Sequence, residues 1–297
     1  MARKWLKKIN LFEIGNMLLL SLSALTCILP LIHITAVSFS SSAAAEAGKV
    51  RLWPVEFSMD AYRFILEKPQ FWRAMLVTVE RVGLTIVLGM FLIILTAYPL
   101  SKESHRFKGR TIYAWFFFFT MLFGGGLIPT YMNIRQLGLL DSIWALVLPV
   151  ALSVYNLVIM LNFFRQIPGE LGEAAIIDGA GQWRILWQIF VPLSKPAIAT
   201  LVLMTAVTSW NSWFDGILYM NNPKHYPLQS FLQTVIIGAD LSSLMNLSLE
   251  NMEAMSKLSQ RTIITAQILV GVLPILSFYP FLQKYFVKGM MIGGVKG

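Results

Sequence analysis

GEAAIIDGAGQWRILWQIFVPLSKP, residues 172–196, is a polar interlude punctuated by glycine and proline between two long apolar runs. A chain that crosses a bilayer and sets such a stretch between its spans presents a structured loop to the water. Glu170 and Glu173 flank the start of Ala174, Ala175, Ile176 and Ile177. Negative charge is favoured at a helix N-terminus, so the pattern predicts a short helix from about residue 169. Gly179 interrupts that helix, because glycine enters a left-handed turn without steric cost. Trp183, Ile185, Leu186 and Ile189 then give a second short amphipathic helix, expected to stop at Pro192. The product is a helix-turn-helix with an apolar face, short enough to seat in a partner's cleft. An ordinary amphipathic surface helix is the plainer reading of the same residues.

The composition places this loop in a membrane protein. Hydrophobic residues make up 56% of the chain and charged residues 13%, with a mean hydropathy of +0.65; soluble chains carry about 25% charge. A hydrocarbon core of about 30 Å takes roughly 20 helical residues to cross. Apolar runs of that order occupy 14–37, 76–99, 112–131, 142–164, 198–219 and 263–286. Six helical spans are expected, since a lone segment in lipid must satisfy its own backbone hydrogen bonds. The runs are too long and too uniformly apolar for barrel strands.

The net charge of +9 invites a nucleic-acid reading, which the distribution of the charges excludes. With the N-terminus inside, Arg3, Lys4, Lys7, Lys8, Lys102, Arg106, Lys108, Arg110, Arg165, Arg184, Lys195, Lys284, Lys288 and Lys296 all fall on the cytoplasmic side. Fewer lie on the longer outer loops, and Arg81 lies within the second span. This bias places both termini in the cytoplasm. The expected organisation is a cytoplasmic N-terminus (1–13), a six-span domain (14–286) containing the loop at 169–192, and a cytoplasmic tail (287–297). The first run is too long for a signal-peptide core of about 7 to 15 residues, so an uncleaved first span is expected. The single cysteine, Cys27, rules out an intrachain disulfide or a multi-cysteine metal site.

Gly124, Gly125 and Gly126, just ahead of Pro129, predict a broken or closely packed outer end for the third span. The outer loop 38–73 carries a serine run and aromatic residues suited to the lipid interface. A surface helix is expected within 240–260, where apolar residues recur at helical spacing. No phosphate-binding loop is present, and His33, His105 and His225 are scattered, so neither catalytic residues nor a metal site is expected.

Glu173-Ala174-Ala175, three residues, Gly179, nine residues and Ile189-Phe190-Val191-Pro192 together resemble the cytoplasmic coupling loop of ABC importer permeases. Val191 stands where the pattern has leucine. FWRAMLVTVERVGLTIVLGMFLIILTAYPLSK (71–102), GGLIPTYMNIRQLGLLDSIWALVLP (125–149) and NFFRQIPGELGEAAIIDGA (162–180) are similar to carbohydrate permeases of the maltose-transporter type. The latter two resemble the group found beside sugar-binding lipoproteins in Gram-positive bacteria, and FLQKYFVKGMMIGGVKG (281–297) resembles the tail of the same family. The resemblance implies an all-α, type I ABC importer permease in a bacterial plasma membrane, importing a carbohydrate of oligosaccharide size. Its partners would be a second permease in a heterodimer, two cytoplasmic ATPase subunits that bind the ATP and Mg, and an extracytoplasmic binding lipoprotein. It assigns ATPase docking to Glu173, Ala174, Ala175, Asp178 and Gly179.

The fifth run carries Trp210, Asn211, Trp213 and Asp215 in its outer half, and the two tryptophans, three apart, are expected to share a helix face. Flat aromatic faces beside amide and carboxylate groups suit sugar rings. The same residues also read as an interfacial belt with Asp215 reaching the outer surface. Asn156 either lines a cavity or bonds a neighbouring helix. In the tail, Gly293, Gly294 and Lys296 suit close approach to the ATPase pair; a frayed end is the alternative. An ion-gradient transporter remains the competing functional class, with an intramembrane enzyme a more distant third.

Overall fold

The computed structural model describes residues 11–103, 105–234, 259, 261–274, 276 and 277. Every regular element among them is a helix, in agreement with the expected all-α class. The chain divides into two compact units.

In the first unit, α1 (Leu11–Ser38) is apolar along nearly its whole length, with a mean hydropathy of 2.2 over its most apolar stretch. The hydroxyls of Ser23 and Thr26 return to the carbonyls of Leu19 and Leu22, so these two groups are satisfied within the helix. The serine run that follows makes tight local bonds. Ser38 Oγ meets the Tyr62 hydroxyl at 2.8 Å, and Ser40 Oγ accepts from the Val55 amide at 3.0 Å. Ser41 caps α2 (Ser42–Glu46) by accepting from the Ala44 amide. After α3 (Asp60–Leu66), the Ser259 amide donates to Ser42 Oγ at 2.7 Å, and Arg261 donates to the Ala45 carbonyl at 3.3 Å. Ala36, Val37, Ala44, Ala45 and Val50 form a small core beneath these bonds.

The second unit is built around α4 (Pro69–Ser101), 33 residues long with a mean hydropathy of 2.1 over its most apolar stretch. Phe71, Ala74, Thr78, Arg81, Thr85, Gly89, Ile93 and Ala97 are all buried, and their spacing of three and four places them on one face. α5 (Arg110–Leu122) and α6 (Leu127–Gln136) follow, then α7 (Ile143–Ala151) and α8 (Val154–Gln166). α9 (Gly169–Ile177), α10 (Gln182–Leu193), α11 (Lys195–Asn211) and α12 (Phe214–Tyr219) complete the order. α4 packs against α7, α8 and α11.

Among the described residues two helices, α1 and α4, are each long and apolar enough to cross a membrane alone; three bent pairs raise that to five if each pair is one span. The third apolar run is divided by a turn at 123–126, where Gly126 has φ 84°, and α5 and α6 diverge by 112°. This is the break that the triple glycine predicts. The 13 residues of α5 rise only about 20 Å at about 1.5 Å each, short of a full crossing. The fourth run bends by 45° between α7 and α8. Pro149 removes an amide from α7, and Ser153 caps α8 by accepting from the Asn156 amide. The sixth run begins in the helix Arg261–Pro274 and continues outside the described residues. The helix expected within 240–260 and the tail also lie outside them, apart from Ser259.

Candidate functional site

The loop at 169–193 is held by its own short-range chemistry. α9 ends in a Schellman motif: the Ala180 amide donates to the Ala175 carbonyl at 2.8 Å and the Gly179 amide to that of Ile176 at 3.0 Å. Gly179 has φ 79°, so the four-residue step from Ala175 to Gly179 is the step from the third-last helical residue to the left-handed cap. A Cβ at Gly179 would meet nothing within 4 Å; glycine is needed there for its backbone angle. Gly181 is extended and opens α10, whose Ile185 and Leu186 bury into the main core beside Tyr98 and Phe164.

The second helix ends at Leu193, one residue past the expected stop at Pro192. It widens into a π-turn over Leu186–Phe190 and continues to Leu193. The wider turn moves the bonding partner back by one residue, with the Val191 amide donating to the Leu186 carbonyl, and Pro192 sits where its missing N–H is tolerated. The chain turns at Ser194, and α10 and α11 diverge by 78°.

Two contacts tether the loop to the end of α4. Glu173 pairs with Arg106 at 2.7 Å, both side chains substantially exposed, and the Tyr98 hydroxyl donates to Gln182 at 2.8 Å. Lys102 lies over the rings of Tyr98 and Phe190, at 4.0 and 4.1 Å. Burial, then the charge of Arg106, push its ammonium pKa down to about 8. Much of the loop is nonetheless open: Glu170, Ala174 and Asp178 are exposed, Ile177 is 86% exposed and Trp183 65%. Large apolar side chains beside carboxylates on a rigid, self-capped loop form a surface that lacks a cover within the described residues.

The outer residues of the fifth run are arranged differently from expectation. α11 ends at Asn211, Ser212 is extended and α12 begins at Phe214, so Trp210 and Trp213 do not share a helix face. Trp210 is buried, whereas Trp213 is 41% exposed. Asn211 donates to the Val207 carbonyl within its own helix. Asp215 is engaged by both terminal guanidinium nitrogens of Arg81, by the Ser212 hydroxyl at 2.7 Å and by the Gly216 amide at 3.0 Å. Arg81 is 1% exposed and Asp215 20%, so the carboxylate turns to a buried cation and does not reach outward as in the alternative reading. Arg81 was absent from the sequence-derived site; a lone cation in an apolar run requires a counter-ion, and that was the available signal. Asn156 bonds across to Thr205 Oγ1 at 3.2 Å, joining α8 to α11, and also borders a cavity. Gly293, Gly294 and Lys296 lie outside the described residues.

Apolar broken helices around α4, with a capped helix-turn-helix loop carrying an open apolar face, define the membrane-embedded component of a multisubunit transporter. Residues 85–292 match the family described as the binding-protein-dependent transport system inner membrane component, and the chain belongs to that family. It is 41% identical over 288 residues to protein LplC of Bacillus subtilis (strain 168), covering 97% of this chain and 96% of that protein. It is 42% identical over 290 residues to the polygalacturonan/rhamnogalacturonan transport system permease protein YtcP of the same strain, covering 98% of this chain and all of YtcP. Among solved structures, a chain of a bacterial ABC transporter involved in import of the acidic polysaccharide alginate superposes with a TM-score of 0.86. Its identity to this chain is 33%, with 96% of this chain and 100% of that one covered.

Proposed function

We propose that this chain is a translocation subunit of an ATP-driven importer for a carbohydrate, of oligosaccharide size, and that residues 169–193 seat in a partner ATPase. Sugar-polymer transport in the names of YtcP and the alginate importer supports the substrate class. The observation that carries the coupling role is the loop itself, whose backbone is satisfied internally while Ile177 and Trp183 face outward. A docking element needs both properties, since a loop that yielded under load would transmit no motion.

The full assembly in this reading has a second permease, two ATPase subunits holding ATP and Mg, and an extracytoplasmic sugar-binding lipoprotein. The chain crosses the bacterial plasma membrane six times with both termini inside, and Gly293, Gly294 and Lys296 contact the ATPase pair. Glu173 exchanges its partner on docking, from Arg106 to a donor on the ATPase. No observation favours an ion-gradient carrier.

Gly179→Asp tests the docking role. It strains a left-handed position and adds negative charge beside Asp178. The variant should insert in the membrane, lose its co-purifying ATPase and fail to take up substrate, with Glu173→Ala showing a milder form. Normal uptake by a Gly179→Asp complex that retains its ATPase would overturn the assignment.

A further inference from the structure

The bend between α7 and α8 opens a cavity of about 360 Å³ beside α4 and α11. The last carbonyls of a helix have no donors within it. Non-helical backbone at membrane depth persists only where protein buries it or where it lines a water-filled space. Six polar groups converge there: Thr85 from α4, Ser153 and Asn156 from the start of α8, and Thr205, Thr208 and Ser209 from α11. Tyr155 adds an exposed aromatic ring to the lining. None of the described residues that line the cavity carries a charge.

Two details mark the wall as built for a ligand. Thr85 is 1% exposed, yet its Oγ1 has no hydrogen-bond partner, an arrangement that costs stability unless something else supplies the bond. Gly89, one turn further along α4, lets that helix lie against the end of α7: a Cβ there would stand 2.8 Å from the Ala151 carbonyl oxygen. The close approach holds the Thr85 face of α4 at the break. One turn in the other direction, Arg81 is neutralised by Asp215, so it offers no free cation to the same space.

We propose that this cavity receives the hydroxyl-bearing rings of the carbohydrate in transit, through uncharged hydrogen-bonding groups and without a contact that selects for a carboxylate. The inference rests on the import reading above and moves the sugar contacts of this chain from Trp210, Asn211, Trp213 and Asp215 to the α4, α8 and α11 wall. A hydroxyl both donates and accepts, as do the threonine and serine groups facing it, so the match tolerates the changes of orientation that passage requires.

The test uses the assembled complex in proteoliposomes, with ATP inside, binding protein outside, and galacturonan and rhamnogalacturonan oligosaccharides as probes. The wild-type complex comes first: failure to accumulate any of them would defeat the carbohydrate reading with this probe set, before any variant is examined. Against a working wild type, Thr85→Val should lower uptake about fivefold, the worth of one hydrogen bond. Its thermal midpoint should be unchanged or raised, because the hydroxyl removed has no partner in the protein. Separately, Thr208→Cys in a Cys27→Ser background should react with a small thiol reagent, and more slowly when a transported oligosaccharide is present. Acidic and methyl-esterified oligosaccharides should protect equally. Wild-type uptake by Thr85→Val, or a Thr208→Cys labelling rate that sugar does not change, would overturn the inference. Preferential protection by the acidic form would remove its claim that the wall does not read charge.

Discussion

The loop at 169–193 and the break between α11 and α12 both interrupt a helix, but their determinants lie at different distances along the chain. In the loop, Ala175, Gly179, Ala180 and Gly181 set the turn through bonds that span five residues at most. At the break, Asp215 is held by Arg81, 134 positions away in sequence. Gly216 is needed there because the Ser230 side chain occupies the place of its Cβ, with Ser230 Oγ donating to the Trp213 carbonyl at 2.7 Å. One interruption is encoded locally and the other by packing. The turn angle of the first is therefore set within the loop, while the second depends on α4.

The largest test of that contrast is Asp215→Asn, which leaves Arg81 buried without its counter-charge and should cost about 3–5 kcal/mol. In thermal unfolding of the purified protein, Arg81→Met/Asp215→Asn should be less damaged than Asp215→Asn alone, since the stranded charge is then gone. Equal damage in the two would mean that the pair is not what holds the break.

A smaller effect is expected in the loop. Gly179→Ala forces a side chain into the left-handed region and should cost about 1–2 kcal/mol. Gly181→Ala, at φ −71°, should be neutral or stabilising by up to about 1 kcal/mol. A matching loss at both glycines would show that the turn angle is not the reason for Gly179.

Smaller again is the Arg106–Glu173 pair, exposed on both sides. A double-mutant cycle with Arg106→Gln and Glu173→Gln should return about 0–1 kcal/mol of coupling, falling with added salt. A value well above that range would make the tether to α4 a structural part of the loop.

The last test is one of sign and concerns Lys102, whose folded-state pKa of about 8 lies below its ordinary 10.5. The folded protein thus binds fewer protons than the unfolded chain between those values, so the stability associated with this residue rises as pH rises through that window. The thermal midpoint of Lys102→Met should gain least on wild type near pH 10.5 and most below pH 8. The rings of Tyr98 and Phe190 favour the charged amine by about 0.5–1 kcal/mol, which keeps the net effect small. A gap between variant and wild type that widens with pH would refute the sign.

The legibility of the sequence follows the same division. The helix from Gly169, the glycine turn and the interruption before Pro129 were readable because each depends on residues within one or two turns. The π-turn over Leu186–Phe190 was not, since no local residue distinguishes it from continued α-helix, although Pro192 marked the helix end to within one residue. The shared face of Trp210 and Trp213 failed for lack of any breaker at Ser212; the cause lies in Arg81 and Ser230. The α7–α8 cavity was half visible, in Pro149 and Asn156, but the contribution of Thr85 required knowing that Gly89 meets Ala151.

α1 has one further consequence. None of its most apolar stretch is buried against the described residues of its own unit, so its side chains rely on cover from elsewhere, lipid included. The measured stability of the isolated chain is accordingly a mass-action quantity, because whatever covers α1 in the native state adds to it in proportion to the logarithm of its concentration. Melting temperatures from different detergents or lipid ratios will differ even when no residue has changed. Cys27, exposed on that helix, gives a single attachment point for a fluorophore that reports how much of the cover is in place.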